Sequence, residues 1–453
     1  MSETKKTLIL GAVAVVLAII AILVRPARIT PEAFLDQGEP FFPDFTDPND
    51  ATTLEVIDYD EATGSARPFK VTFTQGRWTI PSHHNYPADA RDRLAKTAAG
   101  VIDIKKDDFR TDNVADHEAC GVVDPLDESA AGLSGRGKRV TLKEQGGALL
   151  ADVIIGKNIL SRPGFRFVRV PQQNRVYAAR VDADISTRFE DWIDSDLLQT
   201  DADRIRRLVR RDYSINERTL SIEQGDNLIL TLQNETWTAD RMSASQQVDS
   251  SKMKELLTAL DELSIVGVRP KPGGLSASLR GSSGETTVSQ ADQLSLQQKG
   301  FYLSRDGQLL SNEGEMQVST TDGITYTLRF GEVLYGSGLA VTAGAEAEKG
   351  DESGTEENRY LFITARFDLD YFGPQPAGPA NDEFRTKPDS LLSVKDRQNK
   401  ERQEALDQWQ NKVDQGTRLA ETLNARFADW YYVISGMSFE KLNQSRSSLV
   451  VSK

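Results

Sequence analysis

The chain has 453 residues, 38% hydrophobic and 27% charged, enough for two or three ordinary domains with buried cores. Its 68 acidic residues outnumber 54 basic ones, and the net charge of −14 repels phosphate backbones, so no nucleic-acid partner is expected. The single cysteine, Cys120, excludes an intrachain disulfide.

In chain order, the first informative stretch is "TLILGAVAVVLAIIAILV", Thr7 to Val24, with 18 uncharged residues. As a helix it measures about 27 Å, close to the ~30 Å hydrocarbon core of a bilayer. Arg25, Pro26 and Arg28 spoil the small-residue pattern of a leader-cleavage site. The expectation is a transmembrane anchor over residues 7–24, after a short cytoplasmic tail over 1–6 and before a juxtamembrane linker over 25–53. The bulk of the chain is then expected outside the cytoplasm, an orientation that rests partly on the family resemblance given below, which also implies a single-pass protein of a bacterial inner membrane.

A first α+β module is expected over residues 54–200. "PFKVTFTQGRWTI" alternates around a Gly turn and reads as a hairpin. "YPADARDRLAKTAAGVI" reads as a helix with Leu94, Ala98 and Val101 on one face. "KRVTLKEQGGALLADVIIGK" and "FRFVRVPQQNRVYAAR" read as strand pairs, and the module closes on "RFEDWIDSDLL".

Residues 201–453 repeat this order as a second module. "RTLSIEQGDNLILTLQNETWTA" gives strands. "VDSSKMKELLTALDELSIV" gives a helix capped by Asp249 or Ser250, with Met253, Leu256, Leu257, Leu260 and Leu263 apolar. "EMQVSTTDGITYTLRFGE" and "NRYLFITARFD" give strands again, and "RFADWYYVISGMSFEKL" comes last. Trp78 and Trp237, Gly156 and Gly331, Arg180 and Arg366, and Arg188 and Arg426 are paired landmarks whose offset only grows along the chain. That pattern predicts a tandem duplication with insertions in the second copy.

The largest insertion lies between Asp368 and Arg426. A Pro/Gly linker leads into a polar helical arm at about 385–425. There Leu406, Trp409, Val413, Gly416, Ala420, Leu423 and Phe427 form a heptad seam weakened by Gly416. Either this helix packs on its own domain, or Leu406, Trp409 and Val413 contact a partner. The acidic "GAEAEKGDESGTEEN" reads as a mobile hairpin loop.

The paired motifs Arg188, Phe189, Asp191, Trp192 and Arg426, Phe427, Asp429, Trp430 have two readings. In one, Phe and Trp three apart anchor a helical turn in the core, and Arg and Asp pair at the same spacing. In the other, Arg and Asp bind a ligand on which Trp stacks. His83, His84, His117 and Cys120 are the metal-ligand types present, but "HHNYP" reads as a polar surface turn, and no metal site or cofactor is expected. The run "RIRRLVRR", Arg204 to Arg211, reads as a solvated face of an inter-module segment, with the binding of lipid headgroups or an acidic partner as the alternative. Phosphate-loop, dinucleotide and nucleophile-elbow motifs are missing, so no catalytic residue is assigned and a non-enzyme is the leading reading.

"GRWTI", "YPADA", "CGVVDP", "ADVIIGK", "FRFVRV", "RVYAAR" and "FEDWIDSDLL" together resemble an uncharacterised bacterial membrane-anchored family, domain of unknown function 4340. "CGVVDP" departs from the family's Tyr/Phe-Gly-Leu-x-x-Pro pattern at Cys120. The resemblance implies a gene neighbourhood with gliding-motility-type ABC transporters. The resulting expectation is an α+β protein with a transmembrane helix and two related, mostly antiparallel modules, the second carrying the helical insertion. Its expected role is a non-enzymatic accessory or scaffold in contact with the membrane and with an ABC permease or auxiliary subunit. A cell-envelope hydrolase acting on glycans or wall polymers, and a solute-binding module, are the alternatives.

Overall fold

Alternating apolar residues build two large antiparallel sheets. The computed structural model describes residues 13–17 and 36–453, except 63, 130–131, 217–218, 220, 281–287, 305–306, 337, 345–356 and 373. The first sheet uses β1 (Thr53–Asp60), β2 (Ser65–Thr74), β3 (Arg77–Ile80), β4 (Tyr86–Pro87), β5 (Asp108–Thr111), β6 (Lys138–Lys143), β7 (Leu149–Asn158), β8 (Phe165–Arg169) and β9 (Val176–Arg180). Its order is β4-β3-β2-β1-β6-β7-β8-β9-β5. β7 is buried on both faces from Ala151 to Gly156, and the one charged residue in that run, Asp152, accepts from Arg139 and Thr141.

The later strands are β10 (Ile205–Arg211), β11 (Tyr213–Asn216), β12 (Ser221–Gln224), β13 (Leu228–Gln233), β14 (Thr236–Ala239), β15 (Gln246–Val248), β16 (Gly267–Pro270), β17 (Phe301–Leu303), β18 (Leu309–Ser311), β19 (Glu315–Thr320), β20 (Ile324–Tyr335), β21 (Glu357–Phe367), β22 (Trp430–Ser435) and β23 (Val450–Ser452). Eight of them form the second sheet, ordered β14-β13-β10-β19-β20-β21-β22-β16. Strand for strand, this order repeats that of the first sheet without its edge strand β4. A helix of 12 residues intervenes at the same place in each copy, Arg91–Ile102 after β4 and Ser250–Asp261 after β15. Asp249 caps the second, accepting from the amides of Ser251 and Lys252.

The repeat extends to local devices. The β7–β8 register shifts between Ile155 and Asn158, and the β20–β21 register shifts between Phe330 and Val333. Each irregularity contains one of the paired glycines, Gly156 or Gly331. The Gly156 carbonyl accepts from Arg166 at 2.9 and 2.7 Å, and the Gly331 carbonyl accepts from Arg359 at 2.9 Å. A bulge leaves ladder groups without strand partners, and an arginine on the neighbouring strand supplies the donor in both copies. These observations are consistent with duplicated modules.

By packing, the chain forms two compact units, residues 1–67 with 94–185 and residues 68–93 with 186–453. In the first, Cys120, Val122, Ile154 and Val176 form a core cluster. In the second, Leu275, Leu296, Phe301, Phe362 and Tyr431 do so.

Two expectations are corrected. Of Thr7–Val24 only residues 13–17 are described, as a helix of five residues, and the rest lies outside the described residues. Among the described residues no helix is long and apolar enough to cross a membrane, which overturns the transmembrane anchor and, with it, the single-pass inner-membrane placement and the membrane contact. The run Arg204–Arg211 is not a solvated linker: it is mostly β10, held between β13 and β19, with Ile205, Leu208 and Val209 buried. Gly416, expected to weaken the heptad seam, stands at a close approach of helix and sheet. There the helix Val394–Ala428 comes so close to β21 that a Cβ would lie 2.1 Å from the Phe367 ring.

That helix starts at a capping box between Ser393 and Asp396. Its last turns bury Ala420, Leu423 and Phe427, and Asn424 exchanges two hydrogen bonds with the backbone of Ala365, at 2.9 and 2.6 Å. Ala365 lies beyond the reach of β22 on β21, so a side-chain amide takes the place of a strand. Farther back, Leu406, Trp409 and Val413 are half-buried, with Asn399 bonded to the amide of Ala380. The acidic loop expected after Ala343 falls largely on residues 345–356, outside the described residues.

Candidate functional site

The two Arg-Phe-x-Asp-Trp motifs meet within the second unit through a chain of rings. Phe189 and Trp192 lie on a short 3-10 turn, 2% and 0% exposed. Trp192 sits against Phe69 at 5.8 Å between centroids, Phe69 against His83 at 6.2 Å, and His83 stacks on Phe189 at 4.5 Å. Phe189 meets Tyr86 edge-on at 5.5 Å, and Tyr86 meets Trp430 edge-on at 5.0 Å. Offset and edge-to-face contacts of this kind are the favoured aromatic geometries. The chain ends at Trp430, the only one of the motifs' four aromatic residues that is not buried.

Trp430 forms one wall of a recess of about 480 Å³, lined also by Arg77, Tyr86, Asp89, Asp194, Arg280, Arg426 and Asp429. Each is positioned by a local device. Gln75 and Gly76 both have positive φ, 54° and 79°, so β2 and β3 are joined by a two-residue turn of the I′ kind that sets Arg77 at its exit. His84 and Asn85 are also left-handed and turn the chain back so that Tyr86 pairs with Ile80. Asp89 is held by its amide, which donates to the Trp192 carbonyl at 2.9 Å. Asp429 caps the long helix and Trp430 opens β22.

The expected Arg–Asp pairs within each motif do not form. Arg188 is extended (φ −78°, ψ 130°), off the turn, and its partner is Glu190. Asp191 pairs with Arg93 at 3.4 Å instead. Arg426 reaches Asp194 at 3.1 Å and the Asp196 carbonyl at 2.9 Å, while Asp429 pairs with Arg280. Arg77 is exposed and forms no ion pair among the described residues. Burial pushes the Asp196 carboxyl up, with the neighbouring Asp194 charge adding to it.

The titratable groups beneath the recess are fixed in neutral forms. Burial pushes the Tyr86 phenol up to about 12. Burial, then the proximity of His84 and Arg269, holds His83 down to about 4. His83 is not on a surface loop: it is 2% exposed, with Nδ1 3.0 Å from Ser82 Oγ and Nε2 3.0 Å from Thr342 Oγ1. His84 Nε2 lies 2.6 Å from the Ala343 carbonyl. In the first unit His117 Nε2 lies 2.8 Å from the Asn174 carbonyl, and Cys120 is buried with its thiol pushed up by burial. Among the described residues no group of three or more His, Cys, Asp or Glu is placed to hold a metal ion.

Arg77, Tyr86, Asp194 and Arg280 carried no signal as site residues in the sequence. The only hint was that Arg77 follows a Gln-Gly turn and Asp194 follows a repeated motif.

The fold is α+β, with two large antiparallel sheets that share one strand order, consistent with duplicated modules. Residues 78–278, less than half of the chain, match the family described as Domain of unknown function (DUF4340). No curated protein and no solved structure matches the chain. The match reaches from the first copy into the second. The expected accessory role at a membrane beside a gliding-motility-type ABC transporter is corrected, since among the described residues no helix is long and apolar enough to cross a membrane, and the family match names no activity for the envelope-hydrolase or solute-binding readings.

Proposed function

We propose that the protein is a non-enzymatic binding protein that engages its ligand at the Trp430 recess. The observation that carries this reading is the division of charge there. Asp194 and Asp429 are each tied to an arginine, whereas Arg77 is left exposed beside an indole wall. Acid–base catalysis needs a group that exchanges a proton near the working pH. Tyr86 at about 12 and His83 at about 4 do not exchange one there. Arginine, tyrosine and tryptophan are the side chains that most often anchor binding energy in contact surfaces.

Native mass spectrometry of the full chain, isolated without denaturation, tests the reading. A bound species retained by the wild type and lost from Trp430→Ala is the expected result. A turnover found in substrate screens and abolished by Asp194→Asn or Asp429→Asn would make the recess an active site and end the proposal.

A further inference from the structure

The three guanidiniums of the recess are not equivalent, and their differences specify a ligand. Arg426 is committed, with one nitrogen on the Asp194 carboxylate and another on the Asp196 carbonyl, and only 21% of its side chain is exposed. Arg280 donates to Asp429 through one terminal nitrogen, and half of its side chain remains exposed. Arg77 has no ion pair among the described residues. A guanidinium carries five N–H donors in one plane, and one carboxylate engages two of them. Donors on Arg77 and Arg280 are therefore unused on the same recess.

The surrounding charge sharpens the requirement. Asp194 and Asp429 are neutralised by their arginines, and Asp89 is the remaining carboxylate on the wall. With three cations and three anions the recess has no strong net field, so it selects against polyanions and for a single charge placed at Arg77. Trp430 supplies a flat apolar surface beside that charge, with Tyr86 packed against its ring. A planar apolar body fits such a wall, as aromatic faces stack offset or edge-on.

Resting on the binding reading above, we infer that the recess takes a small ligand with one oxyanion group on a flat apolar body. The oxyanion, a carboxylate or a phosphate, is received by Arg77 and Arg280, and the body lies against Trp430.

Ligand-observed NMR titration of the full chain with benzoate, phenyl phosphate and benzamide tests this. The anionic probes are expected to bind in the millimolar range and the neutral amide about tenfold more weakly, the worth of a charge-assisted hydrogen bond. Arg77→Gln, at an exposed turn position, is expected to reduce the anionic probes to the level of benzamide. Arg188→Gln, an exposed arginine outside the recess, is expected to leave them unchanged. A preference for benzoate assigns the group as carboxylate, and a preference for phenyl phosphate assigns it as phosphate. Equal binding of all three probes, binding of none, or anionic binding unchanged in Arg77→Gln would overturn the inference. A native adduct that depends on Trp430 while all three probes fail would leave the binding reading standing and end this one.

Discussion

His83 lies flat on Phe189, with ring centroids 4.5 Å apart and planes within 11° of parallel. The stack joins the β3–β4 turn to the first Arg-Phe-x-Asp-Trp motif, and both rings are 2% exposed. It favours a neutral imidazole, because the site is buried and among the described residues no carboxylate forms an ion pair with it. The pKa of about 4 is depressed from 6.5, mainly by burial. Between those values the unfolded chain binds a proton that the folded chain refuses. Stability contributed at this site is therefore complete above pH 6.5 and is lost as pH falls toward 4. The loss is about 3 kcal/mol at most. Urea denaturation of wild type and His83→Phe at pH 7, 6, 5 and 4 checks it. The wild type is expected to lose more stability than the variant over this range, and parallel curves would rule the account out.

Gly156 and Gly331 are required by close approach. A Cβ on Gly156 would lie 2.5 Å from the Cys120 carbonyl oxygen, and one on Gly331 would lie 2.1 Å from that of Lys299. Neither obstacle is a flexible side chain. Gly156→Ala and Gly331→Ala are each expected to cost about 3 kcal/mol, the upper range for overpacking. Chemical denaturation of the two variants is the check. A cost at one glycine only would argue that the two bulges are not the same device.

Much of the fold was legible because its signals are local. The face of helix Arg91–Ile102 was set by Leu94, Ala98 and Val101, and all three are buried. The duplication was signalled by the repeated order of paired landmarks, of which Gly156 and Gly331 each fall at a register shift between neighbouring strands. The site was not legible, because its pairs join distant parts of the chain. Asp429 meets Arg280 and Arg426 meets Asp194, separations that no helical spacing encodes. Residues of type Arg, Phe, Asp and Trp at fixed spacing suggested internal pairing, but Arg188 lies off the turn, and so its side chain does not share a face with Asp191. The anchor reading failed on a different ground. Of Thr7–Val24 only residues 13–17 are described, and among the described residues no helix is long and apolar enough to cross a membrane.

Gly416→Ala sets two effects of opposite sign against each other. Replacing a mid-helix glycine by alanine gains about 1 kcal/mol in helix propensity. The new methyl would sit 2.1 and 2.4 Å from two atoms of the Phe367 ring and 3.1 Å from the Asp322 carbonyl oxygen. Separating helix from sheet also strains the Asn424 bonds to Ala365. Overpacking costs about 1–3 kcal/mol, so a net loss is expected. Thr417→Ala, on the exposed face of the next position, is expected to be neutral or slightly stabilising. Thermal melts of the two variants should move in opposite directions or differ by several degrees, and a stabilised Gly416→Ala would show that the packing yields.

Lys271 is the most deeply buried amine described, 6% exposed at the end of β16. Its Nζ donates to the Phe427 carbonyl at 2.9 Å and lies 3.7 Å from the Phe362 ring centre. A helix-end carbonyl and an aromatic face both favour a cation. No carboxylate forms an ion pair with it among the described residues, and Asp429, the nearest acidic influence, is already bound to Arg280. Burial wins and holds the Lys271 pKa well below 10.5. The unfolded chain keeps its proton up to pH 10.5, so the site costs stability at neutral pH and that cost shrinks as pH rises toward 10.5. Lys271→Met removes the charge while filling similar volume, and replacing buried charge by apolar volume is often neutral or stabilising. The variant is expected to match or exceed the wild type at pH 7 and to lose that advantage by pH 10. Paired denaturation curves at the two pH values check this. A variant far less stable at pH 7 would mean that the Phe427 carbonyl and the Phe362 ring outweigh desolvation and keep Lys271 charged.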